Sequence, residues 1–201
     1  MSSLRAFALL LFVFLVLPTA ASAQSRTGGS QYTPPPAPVS EVAAENITVP
    51  GTKAQLLPDG TAAAPADAPA PVQQAVWAAN RIQDKPYRYG GGHAKIEDSG
   101  YDCSGTVSYA LHHAGLLATP LPSGAFMTWA ERGRGEWITV YTNPGHAYAV
   151  IAGLRLDTSA YGVARRASGR RVARSAFERG PRWRPGKRPA RGFRARHPLG
   201  L

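Results

Sequence analysis

Apolar positions change character three times along this chain. Ala6 to Leu17 form an unbroken apolar run, preceded by Arg5 and followed by Pro18 and Ala21-Ser22-Ala23. The run is too short for a membrane span of about 20 residues. A charged start, an apolar stretch and a small-residue cleavage site are the parts of a secretory signal, predicted over 1–23. No cysteine follows the run to carry a lipid, and no later segment is long and apolar enough to span a bilayer, so a soluble exported product is expected. From Gln24 to about Ala70 aromatics almost vanish, and Pro, Ala, Ser, Thr and Gly dominate. Such a stretch cannot bury enough apolar surface to offset its ordering entropy, which predicts a disordered spacer over 24–70. From Pro71 onward the periodic apolar positions return, enough for one domain over 71–201.

Within that domain three elements stand out. After Asp102 the positions Cys103, Val107, Ala110, Leu111, Ala114 and Leu117 keep a helical period, with Asp102 suited to the N-cap and Gly115 to the stop. Asn143-Pro144-Gly145 reads as a turn, and Ala147 to Ala152 as a buried strand opened by His146. Leu154 to Thr158 is the next strand. Antiparallel pairing about Ala152-Gly153 makes Asp157 a diagonal neighbour of His146 on one face, whereas a one-residue slip puts it on the other.

Charge is unevenly spread. From Val163 to Leu201 thirteen Arg or Lys face the single Glu178, a net +12, while Gln24 to Gly162 carries −2. The overall +11 is therefore a property of the C-terminal segment 163–201. In an exported protein such a segment, with Trp183 and Phe193 among its cations, suits an anionic envelope polymer better than nucleic acid, or serves only as a solubilising face.

Cys103 is the sole cysteine. A lone thiol in an exported chain is kept for an intermolecular bridge, for passive burial, or as a nucleophile. Its place in a first helical turn, where unpaired N–H groups and the dipole favour an anion, points to the third. A nucleophilic thiol needs a base. His112 and His113 lie nine and ten residues further along the helix, roughly 13–15 Å away at about 1.5 Å per residue, and are expected to be a solvated flank. His197 sits in the basic segment, and His93 follows three glycines that would hold it poorly. His146, at the mouth of a rigid strand, is the better-held candidate, with Asp157 to orient it or else to pair with an arginine. One cysteine and scattered histidines give no metal-ligand spacing, and no cofactor is implied.

Pro86-Tyr87-Arg88-Tyr89-Gly90-Gly91, then Asp102-Cys103-Ser104-Gly105 opening a helix, Gly145-His146 opening a strand and Asp157 on the next together resemble the NlpC/P60 family of cell-wall cysteine peptidases. The match runs in order from about Val72 to Asp157, with a fainter echo in Gly180-Pro181-Arg182-Trp183 and in Gly192 to Arg196. It implies an α+β, papain-like domain with the cysteine helix packed on an antiparallel sheet, cleaving peptidoglycan stem peptides, often between D-glutamate and a diamino acid. Carried across, Cys103 is the nucleophile, His146 the base and Asp157 the third polar residue. Tyr87 matches the family's active-site tyrosine, and Asp102 and Ser104 match positions that in some members receive a substrate's free amine. Two features differ from the usual pattern: Trp137 to Tyr141 lacks the Pro-Gly-Asp that commonly precedes the histidine strand, and the third position is more often histidine. Two other classes share these residues, a non-catalytic wall-binding module with an idle thiol, and a thiol acyltransferase or amidase.

Overall fold

The computed structural model describes residues 46–159, 180–184 and 187–201. The predicted signal, the first part of the spacer and residues 163–179 and 185–186 of the basic segment lie outside the described residues. No helix among the described residues is long and apolar enough to cross a membrane.

Mixed α and mainly antiparallel β structure is what these residues form. Strands β1 (Thr48–Val49), β2 (Gln55–Leu56) and β3 (Ala62–Pro65) make a small sheet ordered β1-β3-β2, in which β1 and β3 are the parallel exception, and helix α1 (Ala70–Asn80) follows. Helix α2 (Cys103–His113) and the short α3 (Ser123–Phe126) come next. Strands β4 (Glu131–Arg132), β5 (Ile138–Asn143), β6 (His146–Ile151), β7 (Leu154–Leu156), β8 (Trp183–Arg184) and β9 (Arg194–His197) form a sheet ordered β4-β9-β5-β6-β7-β8. Every pairing in this second sheet is antiparallel.

Period-two alternation gives the large sheet two faces. Ile138 and Val140 of β5, Ala147, Ala149 and Ile151 of β6, Leu156 of β7 and Trp183 of β8 join Val72, Val76, Val107 and Leu111 of the helices in one buried cluster. Fully burying a side chain the size of Leu111 or Ile151 contributes about 1.5–3 kcal/mol. This face anchors α2 to β6, and so fixes the start of the cysteine helix relative to the histidine strand.

The helix of Cys103 starts and stops where its residues dictate. Asp102 caps it through Gly105 N–H at 2.7 Å, and Gly115, at φ 71°, donates its N–H to His112 O just past the end. Its polar positions are less exposed than the wheel suggests. Ser104 and Ser108 are buried, because the glycine loop covers one and Leu121 the other, whose backbone N–H donates to Ser108 Oγ at 3.0 Å. Nor are His112 and His113 a solvated flank: both are half-buried, with the ring of His112 donating from Nδ1 to Leu117 O at 3.0 Å and that of His113 4.3 Å from the ring of Tyr109.

Expecting a disordered spacer through residue 70 is wrong from residue 46 onward. Ala62, Ala63 and Ala64 are fully buried, pressed against α1, and Asn80 at the end of that helix both accepts from Ala62 N–H and donates to Ala62 O, each at 2.9 Å. Asn80 Oδ1 also accepts from Trp183 Nε1 at 2.8 Å, tying this small sheet to β8. Alanine has little side chain to lose on ordering, and its small size allows a strand to sit close on a helix. The basic segment is likewise partly structural. Residues 194–197 form β9, inserted between β4 and β5, and Arg196 donates to Met127 O from the sheet.

Candidate active site

Packing of backbone on backbone positions the thiol. Tyr87 bridges Tyr101 in parallel register, and Asp102 N–H donates to Gly91 O at 3.3 Å. This lays the Pro-Tyr-x-x-Gly-Gly segment along the residues that lead into α2. A Cβ on Gly105 would collide with the carbonyl oxygen of Gly91, and one on Gly91 with that of Gly100. Only glycine lets these segments meet so closely, which gives the two glycine-bearing motifs one physical purpose.

Asp102 does more than cap the helix. Its Oδ1 also accepts from Ser104 Oγ at 3.2 Å and lies 3.1 Å from His93 Nε2, while Oδ2 accepts from Gly90 N–H at 3.0 Å. His93 is therefore held firmly, contrary to the expectation that three glycines would leave it loose: its Nε2 contacts both Asp102 and Ser104 Oγ, the latter at 3.2 Å. The glycines permit the close approach and the capping carboxylate supplies the grip. Asp102 and Ser104 are buried, and of this trio His93, its side chain 23% exposed, is the most open to solvent.

Cys103 is half-buried at the first turn of α2. The Cys103 thiol and Asp157 both lie close enough to the imidazole of His146 to favour its protonated form. His146 Nε2 meets Asp157 Oδ1 at 2.9 Å. The tight turn between β6 and β7 makes this possible. Ala152 and Gly153 both have positive φ, 47° and 85°, as a two-residue turn with the twist of the flanking strands demands. Ile151 therefore faces Leu154 and Ala149 faces Leu156, so Asp157 falls opposite Tyr148 and diagonal to His146. The structure thus brings Cys103, His146 and Asp157 together, sets Asp102 and Ser104 beside the thiol's helix start, and bridges Tyr87 to Tyr101, the residue before Asp102.

Asp157 is completely buried and richly held. Besides His146, its Oδ1 accepts from Ser159 N–H at 2.8 Å; Oδ2 pairs with Arg188 at 3.0 Å and lies 3.7 Å from Arg155. Burial pushes its carboxyl up, but the hydrogen bonds of His146 and Ser159 and the Arg188 charge outweigh it and hold it below the ordinary carboxylate value. For His146, burial pushes the imidazole down, yet the bond to Asp157 and the nearness of Cys103 prevail and raise it to about 9. A ring protonated at neutral pH donates from both nitrogens, so the 3.3 Å approach of Arg188 to Nε2 is then a like-charge contact, offset by the carboxylate both share.

Arg188 and Phe193 are the site residues that sequence reasoning did not single out. Phe193 sets its ring edge-on to His146, centroids 6.2 Å apart, and Arg188 lies over both Phe193 and Tyr148. The basic and aromatic run was the available signal, but nothing in its spacing tells which member returns to a strand over thirty residues upstream. Among the described residues no cluster of His, Cys, Asp or Glu could hold a metal ion.

No protein family, curated protein or solved structure matches this chain.

Proposed function

We propose that this chain is an exported cysteine endopeptidase of the papain-like, NlpC/P60 kind, acting on peptidoglycan stem peptides. The observation that carries the reading is the convergence of three groups: Cys103 lies beside His146, and His146 hydrogen-bonds at 2.9 Å to the buried carboxylate of Asp157. An idle core cysteine has no need of an imidazole raised to about 9, whereas a nucleophilic thiol does, because the protonated ring both balances a thiolate and supplies a proton to the leaving amine. Cys103 Sγ attacks the scissile carbonyl, His146 protonates the departing nitrogen, and water, deprotonated by the now neutral ring, releases the acyl enzyme. The oxyanion formed at each stage is met by first-turn N–H groups of α2, which have no preceding helical carbonyl to bind. Asp157 holds the ring's orientation and its charge. The glycine loop with Tyr87 and the His93–Asp102–Ser104 cluster flank the helix start, where they suit the recognition of a polar substrate terminus.

Digestion of purified peptidoglycan by the full chain and by Cys103→Ala, with product masses read out, tests the proposal. New stem-peptide fragments are expected from the former alone. Identical product profiles reject it. Products in which the acyl group has passed to an amine rather than to water favour the acyltransferase reading instead.

A further inference from the structure

Arg188 lies on the segment that leads into β9, and the pairing of that strand with β5 carries it back to the histidine strand. Its guanidinium is fixed by three groups. Nη1 donates to Asp157 Oδ2 at 3.0 Å, and the guanidinium carbon lies 5.3 Å from the ring centre of Tyr148 and 5.1 Å from that of Phe193. The side chain is 15% exposed, so solvent screens its charge little. The same Nη1 comes within 3.3 Å of His146 Nε2. Nothing in the grip on Arg188 requires that approach, which sets two cationic groups together whenever the ring is protonated. Asp157 is divided between them, one oxygen for each. Oδ1 meets His146 Nε2 at 2.9 Å and accepts from Ser159 N–H at 2.8 Å, while Oδ2 accepts from Arg188. A carboxylate held at both oxygens cannot turn about its Cβ–Cγ bond, so the oxygen that faces the imidazole keeps its place.

We infer that Arg188 is a positioning residue for His146, aiming the Asp157 carboxylate at the ring while its own charge, set against Nε2, loosens the ring's hold on the proton that the leaving amine must receive. The inference deepens the peptidase reading and rests on it for the purpose of that proton. The charged and titratable groups around His146 are Asp157 just beyond β7, Cys103 at the start of α2 and Arg188 before β9, with Arg155 of β7 behind Asp157 and Tyr148 of β6 beside the ring. Asp157 and a Cys103 thiolate favour the protonated ring, and Arg188 opposes it. In acylation the sulfur bonds to the carbonyl carbon, the C–N bond breaks and the ring's proton passes to the departing nitrogen. In deacylation water gives the ring a proton as its oxygen bonds to the same carbon and the C–S bond breaks, which restores the thiolate and the charged ring. A ring bound too strongly to its carboxylate is a poor acid in the first step. Arg188 limits that bond without removing it.

The test is NMR titration of the His146 Cε1–H in the full chain, without substrate. Arg188→Gln and Arg188→Met remove the charge, the first keeping a donor and the second the apolar stem between the two rings, whereas Arg188→Lys keeps the charge. Both neutral variants should titrate about one pH unit above the native chain, and the lysine variant within about 0.3 of it. Lys187→Met removes an exposed cation one residue away and should leave the midpoint where it is. On purified peptidoglycan the neutral variants should lose about tenfold in kcat at unchanged KM, and lysine should restore most of it. A midpoint that stays or falls in the neutral variants, an equal rise in Lys187→Met, or a lysine variant that behaves as the neutral ones do would overturn the role given to Arg188. So would loss of a cooperative melt in both neutral variants, which makes the residue a structural support. Shifts as expected in a native chain that cuts no peptidoglycan would leave the control of the ring by Arg188 standing and remove the peptidase reading.

Discussion

Replacing Asp157 by asparagine isolates the charge on which the imidazolium depends. Asparagine keeps the outline of the side chain and an oxygen for the Nε2–H, so the ring stays in place while the negative charge goes. In the native site His146 titrates at about 9 against an ordinary 6.5. That difference favours the protonated ring by about 3 kcal/mol. Two unit charges at the 2.9 Å of the His146–Asp157 pair attract by about 6 kcal/mol when the surroundings have an effective permittivity near 20. Loss of Asp157 alone thus exceeds the whole favourable balance. Burial and Arg188, 3.3 Å from Nε2, then drive the ring towards neutrality. The midpoint is expected to fall from about 9 to about 6.5 or lower, followed by NMR on the Cε1–H, and iodoacetamide alkylation of Cys103 should lose its dependence on that ring in the same interval. Stability follows the same signs. Because the His146 value is raised, its contribution is complete below 6.5 and is lost as pH rises through about 9; because the Asp157 value is lowered, its contribution is present above 3.8 and is lost on further acidification. The native chain should therefore weaken on both sides of that window, and the variant should lack the alkaline decline. A variant that still titrates near 9 would refute the assignment of the raised value to Asp157.

Gly105→Ala should cost about 1–3 kcal/mol in urea denaturation, since the added Cβ meets the Gly91 carbonyl and the backbone there is pinned by Asp102 N–H; unchanged stability would mean that the two motifs do not pack as described. Asn80→Ala removes bonds to Ala62 N–H, Ala62 O and Trp183 Nε1, and should destabilise by about 2–4 kcal/mol, whereas a loss below about 0.5 kcal/mol would place the small sheet outside the cooperative unit. Deleting residues 187–201 withdraws β9 from between β4 and β5 together with Arg188 and Phe193. A chain so shortened should show no cooperative thermal transition, and a sharp melt at the native temperature would return the basic segment to the status of an appendage.

What was legible in the sequence was local. Asp102 and Gly115 bound α2 because caps are read by residue type, and the hairpin of β6 and β7 was set by Ala152-Gly153 and the alternation on either side. The sequence thus allowed two registers, one of which sets Asp157 diagonal to His146, and the pairing of Ala149 with Leu156 is the one the structure adopts. Three things were not legible, each for a different reason. The alanines of β3 carry almost no hydrophobic signal, and their value lies in how closely α1 approaches them. His93 looked loose because its anchor, Asp102, is assigned by sequence to a different task. Arg188 and Phe193 reach the site through pairing of β9 with β5, a contact between segments fifty residues apart that no period encodes.

The place of β9 has a further consequence for how the molecule is made. This strand comes after all the others in chain order, yet it goes to an interior position of the sheet rather than to its rim. A nascent polypeptide that has reached Asn143 but not Arg194 leaves the six residues of β5 with one side unzipped, a template for sticking to a neighbour. That seam closes only after residues 194–197 have emerged and paired with β5. Because the same stretch brings Arg188 to Asp157 and Phe193 to the imidazole, the surroundings of His146 are completed only at that closing step.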